Sequence, residues 1–217
     1  MSYIIKEICG IMLIFFMIDY SVIPNKARWF ILHTISNTFT TYYTLGSVIN
    51  VLSDPIKMLS VQPSYTPLNI TIALHLYHIV FFNNLVAIDW IHHILMCGIA
   101  AGSYFYNIGE CTNFIIFFIN GLPGGLDYLM LSLVKHGKIH YMIEKRLNAY
   151  INLWIRSPGI ICGIFNLYLA MLYSDEFSWI SGRILILVAF LWNAQYFLYR
   201  VIRSYVIRSQ EKSTLSL

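Results

Sequence analysis

The chain has 217 residues, 58% of them hydrophobic and only 11% charged, with a mean hydropathy of +0.66. A soluble domain carries about 25% charged residues, so this composition cannot clothe a water-facing surface and leaves no room for a soluble catalytic domain. The net charge of +4 does not indicate nucleic acid, because the basic residues sit in loops and a tail without interleaved stacking aromatics, and no nucleic-acid partner is expected. Four dispersed cysteines, Cys9, Cys97, Cys111 and Cys162, show no Cys-x-x-Cys spacing and read as small apolar residues.

A membrane-crossing helix takes about 20 apolar residues. Apolar runs bounded by charge, Pro or Gly predict seven: Ile8 to Ile23, Trp29 to Leu52, Pro67 to Val86, Trp90 to Tyr106, Thr112 to Val134, Leu147 to Leu172 and Trp179 to Ile202. The first is read as a span and not a signal peptide, since no small-x-small site follows and Asp19 interrupts its end. Seven spans place ten Lys and Arg on the side that holds the C-terminus and three on the other. Basic residues near span ends stay in the cytoplasm, so the N-terminus is expected in the lumen. Asn69-Ile70-Thr71 is a glycosylation sequon at the lumenal mouth of the third span, too near the membrane to expect modification. Residues 1–28 form an N-terminal helix and loop, 29–203 a six-span domain, and 204–217 a basic cytoplasmic tail, polar and mobile from Ser209.

Ionisable groups inside a bilayer cost roughly 2.5 to 3.5 kcal/mol on insertion scales, so each is a candidate functional residue. Counting 1.5 Å per residue from the cytoplasmic ends puts His33 about 6 Å deep, His93 about 5 Å, His78 about 12 Å, Asp127 about 11 Å and Arg156 about 14 Å. Helices of opposite direction thus bring these groups to one level, which predicts a polar cavity in the cytoplasmic leaflet. Asp89 precedes His93 by four residues and His92 by three, so it is positioned to orient one imidazole. Asp127 and Arg156, at similar depth, are expected to neutralise one another. His75 and His78 offer two metal ligands that His92 or His93 would complete. Interhelical hydrogen bonding is the expected role instead, without metal or cofactor. Asn120 to Gly125 (Asn-Gly-Leu-Pro-Gly-Gly) must weaken the fifth span. A retinal protein is excluded because the last span holds no lysine, and a G-protein-coupled receptor because neither Asp/Glu-Arg-Tyr nor Asn-Pro-x-x-Tyr is present.

His92-His93-Ile94-Leu95, followed by Ser103-Tyr104 and Asn107, resembles the core motif of the TLC family, which includes translocating-chain-associated membrane protein, the ceramide synthases and a neuronal lipofuscinosis protein. Leu32-His33, Asp54-Pro55 and Pro158 preceded by Arg156 extend the resemblance over roughly Trp29 to Arg203; the His pair with Asp89 is its most specific part. It implies six helices around a cavity open to the cytoplasmic leaflet, in the endoplasmic reticulum or a related endomembrane. Ceramide synthases combine the His pair with a later His-Asp pair to transfer an acyl group from acyl-CoA to a sphingoid base. Here that second pair falls on Ile119 and Asn120. The chain therefore looks more like non-synthase members, associated with lipid binding, trafficking or control of membrane lipid composition. The expected site for a membrane lipid, sphingolipid or phospholipid, is His33, His78, His92, His93, Asp127 and Arg156. Two alternatives stand beside it: an acyltransferase using His92 and His93 with Asp89, and a structural or chaperone-like membrane protein; a homo-oligomer is compatible with each of the three readings.

Overall fold

A computed structural model describes residues 2–21, 26–82, 85–105, 108–173 and 180–214; the side chains of residues 180, 183 and 212–214 lie outside that description. Asn107, the expected span limits Ile23, Tyr106 and Trp179, and the side chains of Arg183 and Lys212 fall outside the described residues.

Helices account for every regular element among the described residues. They are α1 Ser2–Ser21, α2 Arg28–Ser53, a single turn α3 Pro55–Met58, α4 Thr66–Phe81, α5 Ala87–Gly102, α6 Cys111–Ile119, α7 Leu122–Lys135, α8 Tyr141–Ile151, a π-helical turn Asn152–Arg156, α9 Ser157–Tyr173 and α10 Ile180–Thr214. Three helical segments are long and apolar enough to cross a membrane: Cys111–Lys135, Tyr141–Tyr173 and Ile184–Glu211. Thr66–Phe81 and Ala87–Gly102 are apolar but have only 16 residues each. At 1.5 Å per residue they reach about 24 Å, short of a hydrocarbon core of about 30 Å.

Three departures from the expected spans have a local reason. The third ends at Phe81 because Phe82 turns to an extended backbone. The fifth divides at Asn120-Gly121, between α6 and α7, where Pro123 lacks an N–H and its ring would meet the preceding turn. The seventh runs on past Ser209 to Thr214, so the expected mobile tail begins as helix, with Arg208 and Glu211 paired at 2.8 Å one turn apart.

Burial is reversed relative to a soluble protein. Helix α2 buries Ser36, Asn37, Thr40, Thr44 and Ser47 while exposing Phe39, Tyr42, Leu45, Ile49 and Leu52. Its threonine hydroxyls donate to the carbonyl four residues back, as Thr40 does to Ser36 and Thr44 to Thr40, so these hydroxyls are satisfied within their own helix. An exposed apolar surface of this extent is compatible with the hydrocarbon of a membrane. The main core gathers Val51, Met58, Phe114, Ile115, Ile160 and Leu167 where α6 packs on α9.

Helix α2 is central, packing against α1, α4, α6 and α7. It runs antiparallel to α7, since Phe30 meets Tyr128 while Asn37 reaches Gly124. At one end of the bundle Arg28, where α1 passes into α2, lies over Phe82, where α4 passes into α5. This end also collects Lys26 and Arg200 and is called the basic end below. At the opposite end Thr66 donates to Glu7 at 2.9 Å, and Tyr104 donates to Asn69. Asn69 is fully buried there, so the sequon is closed to modification in this fold.

Candidate functional site

Five of the seven histidines converge at the basic end. Helix α2 supplies His33, α4 supplies His75 and His78 one turn apart, and α5 supplies His92 and His93. The Trp29 ring stacks on His78 at 3.3 Å between centroids and meets His33 edge-on at 3.5 Å. His78 meets His93 edge-on at 4.6 Å, and His75 lies 5.3 Å from His92 and 5.2 Å from His93. Tyr128 of α7 covers His33 at 4.1 Å.

Beside this cluster lies a cavity enclosing about 1040 Å³ of empty space, its open mouth included. His33, His75, His92, Asp89, Asp127 and Arg156 are among its walls, with Asn120 and Arg200. Of the five groups expected at one level, His33, Asp127 and Arg156 line this chamber. His78 and His93 stand one layer behind, touching the lining histidines through their rings.

Two local breaks aim side chains into the chamber. The α6–α7 break presents Asn120, whose amide donates to the Thr71 hydroxyl at 3.2 Å, and brings Gly124 to the wall. The π turn Asn152–Arg156 carries Arg156 inward. Two residues on, Pro158 cannot donate to the Trp154 carbonyl, which loosens the ladder at that point.

Two expected partnerships are corrected. Asp89 does not bond an imidazole: its Oδ2 accepts the backbone N–H of Val86 at 3.1 Å and caps α5, while both ring nitrogens of buried His93 have no hydrogen-bond partner. A carboxylate satisfies the free amides of a helix start more readily than it reaches one turn along. Without that bond the acyltransferase arrangement lacks the contact that would set His93 as a base. Asp127 and Arg156 share the cavity, yet no ion pair joins them, and Asp127 Oδ1 and Arg156 Nε are buried without a partner. Equal depth along two helices does not make their side chains point at each other.

The sequence also gives no rank to residues the fold makes prominent. His75, Tyr128, Asn120 and Phe197 all line the chamber. The i,i+3 spacing of His75 to His78 and the Pro-Gly break beside Asn120 were the available signals; nothing marked Phe197. A second ionic network was missed entirely. Arg28 pairs with buried Asp19, and the Tyr77 hydroxyl donates to the same carboxylate at 2.7 Å.

The chamber is flanked by apolar space on two sides. One apolar cavity of about 910 Å³ runs between α5 and α10, and shares Ile88, His92 and Phe197 with the chamber. Another of about 570 Å³ shares Thr71, Ile119 and Asn120 with it. Helix α5 packs on α4 and α10 packs on α8 and α9, which leaves the groove between α5 and α10 lined on both sides by apolar residues such as Leu95 and Val188.

His75, His92 and His93 each offer a ring nitrogen within 4.8 Å of the others, and could together hold a metal ion. All four cysteines are free, and Cys111, the buried one, lies in the main apolar core. Comparison with known proteins finds no matching family model, no matching curated protein and no matching solved structure.

Proposed function

We propose that this chain is a multi-pass membrane protein that holds a single lipid and through it senses, carries or adjusts membrane lipid composition. One observation carries the reading: a chamber lined by His, Asp and Arg lies directly beside two apolar cavities and shares wall residues with each. That sequence of environments matches a molecule with a polar head and long hydrocarbon chains. Arg156 and Arg200 suit an anionic headgroup, the former through Nε, a buried donor without a partner. The groove between α5 and α10 gives acyl chains a sideways route to the bilayer.

Seven crossings are part of this proposal, made by α1, α2, α4, α5, α6 with α7, α8 with α9, and α10. The basic end is placed in the cytoplasm on the distribution of Lys and Arg, and an endomembrane such as the endoplasmic reticulum on the TLC resemblance. The non-synthase branch of that family is the one proposed, because Ile119 and Asn120 stand where the second His-Asp pair would be.

Native mass spectrometry of protein extracted in mild detergent tests the reading. The expected result is one lipid class bound at one copy per chain, enriched over the surrounding membrane, and reduced by Arg156→Gln. Bound lipid of the same composition as the bulk membrane, unchanged in Arg156→Gln, rejects it.

A further inference from the structure

Three imidazoles from two neighbouring helices converge, and one of them, His93, lacks the partners that buried nitrogens need. The His75 Nδ1 lies 2.7 Å from the Thr71 carbonyl oxygen. A carbonyl only accepts, so Nδ1 carries the proton and Nε2 keeps its lone pair. That lone pair belongs to the nitrogen 3.4 Å from His92 Nε2. Two ligands held about 2.0 to 2.1 Å from a tetrahedral zinc ion stand about 3.4 Å from one another, so the spacing is that of one edge of such a site. The third imidazole, His93, is 2% exposed with both nitrogens unsatisfied, and one of its nitrogens falls within the same 4.8 Å group. A buried polar atom left unpaired is costly, and a metal bond removes that cost for one of the two.

We propose that His75, His92 and His93 hold one divalent transition-metal ion, Zn²⁺ by the chemistry of three neutral imidazoles, with its fourth position open to the polar chamber. The sequence places these residues 17 and one position apart on separate helices, a spacing that matches no zinc signature; the α4–α5 hairpin brings them together. The Thr71 carbonyl fixes the tautomer and the ring plane of His75, the usual task of a carbonyl behind a metal-bound histidine. His78, clamped by Trp29, packs against His93 from behind. Since His75 and His92 also face the chamber, the remaining coordination position is directed there. Three neutral ligands leave the ion its full charge, so that position takes an anionic oxygen, from hydroxide or from a phosphate or carboxylate group. The site stands whether or not a lipid is held.

The test uses full-length protein in nanodiscs, stripped with a chelator and titrated with Co²⁺. Visible d–d bands of four-coordinate Co²⁺, saturating at one equivalent and displaced by Zn²⁺, are expected. His92→Phe and His75→Phe, which keep a planar ring in place, are expected to weaken Co²⁺ binding at least tenfold, while His140→Asn, outside the cluster, binds as wild type. Metal-free melting temperatures identify variants that fold. If neither variant folds, X-ray absorption at the zinc edge of the wild-type protein decides, with three imidazole nitrogens at about 2.0 to 2.1 Å expected. Absence of Co²⁺ bands in the wild type, undiminished binding in folded His92→Phe, or a zinc edge spectrum without imidazole scattering overturns the proposal.

Discussion

The Tyr77 hydroxyl donates to Asp19 Oδ2 at 2.7 Å, and this bond ties α4 to α1 at the basic end of the bundle. The same carboxylate receives the Arg28 guanidinium, with the Asp19 side chain fully buried and that of Arg28 28% exposed. One acidic group therefore fixes the approach of three helices, because α2 begins at Arg28.

Asp19→Ala is expected to destabilise the protein by about 3 kcal/mol, since it leaves a half-buried guanidinium and a buried hydroxyl unpaired. Tyr77→Phe, which removes one hydrogen bond, is expected to cost about 1 kcal/mol. Thermal unfolding in one detergent gives the order; a melting temperature for Asp19→Ala at or above that of Tyr77→Phe contradicts it.

Gly109 and Gly137 both have positive φ, at 60° and 67°. A Cβ on Gly109 would strike the backbone carbonyl oxygens of Met58 and Leu59, whereas one on Gly137 meets open space. Alanine at 137 is thus expected to cost about 1 kcal/mol of backbone strain, and alanine at 109 clearly more, because backbone must move as well. Equal unfolding temperatures for the two variants would refute the difference.

A Cβ on Gly159 would enter the ring of Phe118, where α9 crosses α6. Overpacking of this kind costs about 1 to 3 kcal/mol. Gly159→Ala should fall in that range, and Phe118→Leu in the same chain should recover at least half of the loss. Additive losses in the double variant would show that the ring is not the obstacle.

Because no direct ion pair joins Asp127 to Arg156, their substitutions should be nearly independent. Asp127→Asn and Arg156→Gln are expected to show a coupling below about 1 kcal/mol in a double-mutant cycle of stability, where a directly hydrogen-bonded buried pair would give 3 or more. A coupling of that larger size would restore the paired arrangement that helix depth alone implies.

Ala189 lines the groove between α5 and α10. Ala189→Trp should fill it and lower the amount of lipid that copurifies at least twofold, with little change in melting temperature, because Ala189 itself is half-buried and outside the main core. Unchanged lipid content would detach the groove from ligand binding.

How much of this was legible beforehand follows from which forces act along one helix and which act between helices. Helices α2 and α9 begin or end within a few residues of the expected spans, because hydropathy and bounding charge are local. The break before Pro123 was equally visible, since a missing N–H acts on its own turn. The level of His33, Asp127 and Arg156 could be counted at 1.5 Å per residue. Their pairing could not. Whether Asp127 faces Arg156 depends on the rotation of two helices about their axes, set by packing such as that of Gly159 on Phe118.

The chain by itself determined an all-helical body suited to hydrocarbon and the height at which its polar groups sit, because composition and rise per residue need no partner. Tertiary structure alone decided that Asp89 would cap a helix rather than hold His93, and that His75 would face His92 at 3.4 Å. It also decided that the polar chamber would lie against apolar cavities. Each of these depends on the relative rotation and spacing of separate helices, which arises only when side chains far apart in the chain compete for the same space.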